Sequence, residues 1–77
     1  MSRPEAAYGT REAYREFLAE TLAMARIQAE LGAKFAEIGD DVGTAYAVRQ
    51  LVAYTRAAVG TVGDLRKLKE EGADAGS

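Results

Sequence analysis

From Tyr14 to Ile38 the chain repeats at intervals of 3, 4, 3, 4, 3, 4 and 3, through Phe17, Thr21, Met24, Gln28, Leu31 and Phe35. Six of these eight residues are large and apolar, and Thr21 and Gln28 are the polar exceptions. A heptad seam kept without a slip predicts a helix from about Thr10 to Ile38. A second stripe, Leu18, Leu22, Ala25, Ala29 and Ala36, runs beside the first, with Ile27 on the other flank. The apolar face is therefore wider than the narrow seam of a two-stranded coiled coil and needs more than one neighbouring helix to cover it. Charges fill the rest, and Glu30 precedes Lys34 by four residues in the favourable order.

A second segment, about Val42 to Glu71, carries Val48, Leu51, Val52, Thr55, Ala58, Val59, Val62 and Leu65 at helical spacing, with Leu68 extending the face. Valine is a mediocre helix former, so packing has to hold this segment. Gly60 and Gly63 interrupt it in one of two ways. They form a small-residue patch with Ala57 for close helix–helix approach, or they break the helix so that Thr61-Val-Gly-Asp64 caps a short third one. The apolar spacing crosses both glycines in phase, which favours the unbroken helix.

Between the segments lies Ala36-Glu-Ile-Gly-Asp-Asp-Val-Gly-Thr44. Gly39 stands where a left-handed residue ends a helix, and Asp40 or Asp41 can accept from the free N–H groups that open the next. Ile38 and Val42 are placed to pack across the turn. Two adjacent aspartates are too few ligands for a calcium loop. Two long helices joined by a turn at about 39–43 make an antiparallel hairpin over residues 10–71. A loose segment is expected at 1–9 and a disordered tail at 72–77. The expected fold is all-α, a helical hairpin that pairs with a second into a four-helix bundle.

Composition strengthens the case for pairing. A chain of 77 residues has a thin core, and small domains offset this with disulfides, metals or self-association. Cysteine and histidine are both absent, which removes disulfides, thiolate zinc sites and the commonest metal ligand and general base. No metal or cofactor is expected. Ten basic and twelve acidic residues are spread evenly, five and six up to Ile38 and five and six after it. No basic pole of the kind nucleic-acid binders carry is present. No apolar run is long enough for a membrane span, and no signal peptide is visible, so a soluble, cytoplasmic protein is expected.

Little else carries chemistry. Glu12, Glu16 and Glu20 form an acidic row, but it lies opposite the apolar seam and lacks the histidines of di-iron bundles. Arg66, Lys67 and Lys69 fall near the expected end of the second helix, where cations complement the dipole. The only serines are Ser2 and Ser77, one in each expected loose end, and no nucleotide-binding glycine motif occurs. No catalytic residue is assigned, and an enzyme is not expected.

In hairpin length the chain resembles the small secreted helical hairpins of the WXG type. It has Glu37-Ile38-Gly39 where those carry Trp-x-Gly, and Ala58 where their acid follows the tyrosine, here Tyr54. An RNA-binding hairpin dimer of the plasmid type shares the architecture but needs a basic face.

The function expected is a non-catalytic interaction module, a subunit or adaptor that self-associates, docks on a larger assembly, or both. Its alternative is a small nucleic-acid-binding regulator built on a hairpin dimer. The expected self-association core is Tyr14, Phe17, Met24, Leu31, Phe35 and Ile38 with Val48, Leu51, Val52, Val59, Val62 and Leu65. The candidate partner surface is Tyr46, Arg49, Gln50, Ala53, Tyr54 and Arg56, because arginine and tyrosine over small residues favour interface hot spots. The partner is a second copy or a larger protein complex, with no membrane involved and nucleic acid disfavoured.

Overall fold

The computed structural model describes the backbone of residues 10–76, with side chains through Leu68 and at Glu70. The expected loose segment 1–9 lies outside the described residues. Within them are two helices, α1 (Arg11–Glu37) and α2 (Asp41–Gly76), packed against each other as a hairpin.

Each helix boundary has a local cause. Thr10 caps α1, its hydroxyl accepting from the Ala13 N–H at 3.1 Å. Glu12 in the first turn and Lys34 in the last suit the dipole of α1. At the far end Gly39 takes a φ of 77°, a conformation that glycine enters without a Cβ clash. The Gly39 N–H then donates to the Ala36 carbonyl at 3.1 Å and the Asp40 N–H to the Phe35 carbonyl at 2.8 Å. This Schellman closure uses up carbonyls that the helix end leaves bare. Asp40 at once starts α2, its Oδ1 accepting from the Gly43 N–H at 2.9 Å. The connection is therefore shorter than the 39–43 expected, because residues 41–43 already form the first turn of α2. Ile38 and Val42 do not pack across it; they remain 76% and 80% exposed.

Helix α2 runs through Gly60 and Gly63 without a break, and no third helix starts at Thr61. The Thr61 hydroxyl donates back to the Ala57 carbonyl at 3.0 Å, within the same helix, instead of capping a new one. The close-approach reading of the two glycines also fails within the hairpin. A Cβ added at either would meet nothing within 4 Å. The helix continues to Gly76, into the stretch 72–77 expected as a tail, where Ala73 and Ala75 are good helix formers although Gly72 and Gly76 are poor ones. Arg66, Lys67 and Lys69 consequently lie inside the helix, and its last turn holds no basic residue.

The seam between the helices is built from small side chains. Among the described residues Thr21, Ala25, Ala47 and Ala58 are the buried ones, Ala47 at 1% exposure. A Cβ on Gly32 would sit 3.4 Å from that of Ala47, so the backbones approach closely there. One turn nearer the connection the Phe35 ring lies over Gly43, where a Cβ would come within 2.9 Å of it. Carrying this antiparallel register up the hairpin sets Gln28 across from Leu51, Ala25 from Tyr54, Thr21 from Ala58 and Tyr14 from Leu65. Small residues thus meet at Gly32–Ala47 and Thr21–Ala58, Tyr54 lies over Ala25, and Gln28 meets Leu51 between them. Among the described residues no large side chain is fully buried.

Candidate functional site

The residues with most surface to offer are those the seam leaves out. Among the described residues twelve large apolar side chains are exposed. All but Val42, which shares the outer edge of α2 with Arg49 and Arg56, fall on two opposite faces of the two-helix layer. An open groove of about 450 Å³ identifies the first: Leu18 and Leu22 of α1 line it with Ala58, Val59, Val62 and Gly63 of α2, and Arg66 stands at its end. Steps of seven residues along each helix stay on the same side. They carry this face from Leu22 to Ala29 and Ala36, and from Val59 and Val62 to Val52, Thr55 and Val48. We call it the valine face.

The second face carries Phe17, Met24, Leu31 and Ile38 in one heptad row of α1, with Ile27 beside them. Its α2 half is small and polar: Gln50, Ala53 and Ala57, with the exposed Tyr46 near the connection and Asp64 towards the open end. We call it the methionine face.

The expected association core does not form one surface. Tyr14, Phe35, Leu51 and Leu65 are half-buried in the seam of the hairpin itself. Phe17, Met24, Leu31 and Ile38 lie on the methionine face, and Val48, Val52, Val59 and Val62 on the valine face. The candidate partner surface also divides. Gln50 and Tyr54 are half-buried towards α1, whereas Tyr46, Arg49, Ala53 and Arg56 are exposed. Arg49 and Arg56, two turns apart, stand on the outer edge of α2.

Ala47 and Ala58, two of the most buried residues, were not readable as seam from their size. The available signal was spacing: they stand eleven apart, three helical turns, as do Thr21 and Gly32 on the opposing helix.

Polar groups on the two faces differ in how well they tolerate cover. The Thr55 hydroxyl on the valine face already donates to the Val52 carbonyl at 2.9 Å. Gln28, at the methionine side of the seam, buries its Oε1 without a hydrogen-bond partner. Among the described residues no three acidic side chains gather as a metal site. No helix there is long and apolar enough to cross a membrane. No family model, curated protein or solved structure matches the chain.

Proposed function

We propose that the chain is a non-catalytic protein–protein interaction module, a helical-hairpin subunit or adaptor that self-associates into a four-helix bundle and presents its remaining surface to a larger assembly. The observation that carries this reading is the inversion of side-chain size. Alanines and a threonine are buried, while Phe17, Met24, Leu31 and five valines stay exposed. Burying a side chain of this size contributes about 1.5–3 kcal/mol when exposure is fully lost, so covering either face adds to what the thin seam supplies. Contiguous apolar surface on this scale marks an association site.

Light scattering after size exclusion, over a hundredfold range of concentration, tests the reading. A stable species of twice the 8.2 kDa chain supports the bundle. A monomer across the whole range sinks self-association. Salt-sensitive RNA binding that is lost in Arg49→Glu and Arg56→Glu would instead favour a nucleic-acid regulator.

A further inference from the structure

The two faces are not equivalent, and the geometry points to the valine face as the one that meets a second copy, with the two hairpins stacked head to tail. This inference rests on the self-association proposed above and adds which surface, and which orientation, produces it.

The first argument is polarity. On the α2 half of the valine face the only polar side chain between Val48 and Val62 is Thr55, whose hydroxyl is satisfied within its own helix. Its burial leaves no orphan donor. On the α1 half Arg26 stands at the outer margin, where its head can stay in water. The methionine face presents Gln50 and Asp64 within its width and Glu20 at its edge, and each would need a new partner if covered by a copy of itself.

The second argument is charge. At the open end of the hairpin Arg11, Arg15 and Arg66 border the valine face, with Glu70 one turn farther out. At the connection end Asp41 lies on the same stripe as Val48, and Glu37 stands at the margin. Stacking connection on connection would gather six guanidinium groups at one end. Head-to-tail stacking spreads the guanidinium groups over both ends, bringing Arg66 and Glu70 of one hairpin over the Asp41 turn of the second copy, and Arg11 towards its Glu37.

The third argument is shape. The valines are spread about Thr55, Val48 and Val62 lying seven residues to either side and Val52 and Val59 three and four. A two-fold axis at Thr55 therefore repeats valine on valine along α2. On α1 the same axis passes near Ala25, since Ala25 lies across from Tyr54. Leu22 and Leu18 then fall on the small Ala29 and Ala33 of the second copy. Arrangement, charge and polarity select the same dimer, an isologous one. The methionine face, with Tyr46 at its connection end, is left outward.

Because the chain has no cysteine, single-cysteine variants report the geometry directly. Under mild oxidation Thr55→Cys is expected to form a disulfide dimer in high yield. Val48→Cys and Val62→Cys should each cross-link poorly alone and well when mixed. All three positions are exposed in the hairpin, so folding of each chain is not at stake. Efficient cross-linking of Met24→Cys with itself, while Thr55→Cys stays free, would overturn the face assignment but keep a dimer. Val48→Cys pairing well with itself would overturn the head-to-tail orientation. A monomer by light scattering would remove the self-association beneath both.

Discussion

The seam between the helices and the two faces outside it use the same helical spacing with opposite side-chain sizes. Inside, Ala25, Ala47 and Ala58 let the backbones come close, to the point that Gly32 and Ala47 leave room for little more than a methyl group. Outside, residues such as Val59, at 72% exposure, have no neighbour to lie against. The difference teaches that this hairpin is a half-core: tightly specified where it is thin, and unfinished where it is rich in apolar surface. Two helices can touch along one line only, and the line of small residues allows the closest contact.

The sharpest way to break the contrast is to enlarge one alanine from each region. Ala47→Leu should destabilise the hairpin by about 3 kcal/mol, since three added carbons have no space at the Gly32 crossing. Ala53→Leu, on the exposed surface, should change stability by less than about 0.5 kcal/mol. Urea unfolding followed by circular dichroism, at one fixed protein concentration, compares them; equal losses would erase the distinction.

A smaller effect is expected at Gly43. Alanine there gains helix propensity of up to about 1 kcal/mol, yet its Cβ would lie 2.9 Å from the Phe35 ring and 2.8 Å from Asp40 Oδ2. A net loss of about 1–2 kcal/mol follows, and Phe35→Leu in the same chain should recover part of it. Additive losses in the double variant would show that the ring is not the obstacle.

Gln28→Met should raise stability by about 1 kcal/mol, because it removes a buried carbonyl oxygen that has no donor. No gain would mean that the amide finds a partner in solution. Smallest of all, Gly60→Ala should stabilise by about 0.5–1 kcal/mol, since the added methyl meets open space. A loss at this position would place another molecule against Gly60.

The helices and the turn were legible because their signals are local. Gly39 and Asp40 act on backbone groups within a few residues, and the in-phase spacing across Gly60 and Gly63 was enough to predict an unbroken α2. The inside of the hairpin was harder to read. Periodicity finds the centre of all apolar residues, and in α1 that centre averages the seam with the surfaces either side of it. Size then drew attention to Phe17, Met24 and Leu31, whereas the seam runs through Thr21, Ala25 and Gly32. Hydrophobicity alone does not say which neighbour covers which residue. The small residues at three-turn intervals carried that information, and Tyr54, chosen for an outer patch by its chemistry, is drawn inward by the small Ala25 across from it.

The Gly39 conformation has a consequence for topology. It is the single positive-φ residue between two stretches that otherwise continue helically. Replacing it with alanine strains that bend by about 1 kcal/mol or more and favours straightening the connection into one uninterrupted rod. Two such rods laid antiparallel would rebuild the Thr21–Ala58 and Gly32–Ala47 pairings between chains, exchanging halves as domain-swapped dimers do. One glycine dihedral thus decides whether each chain completes its own seam or lends half of it to a neighbour.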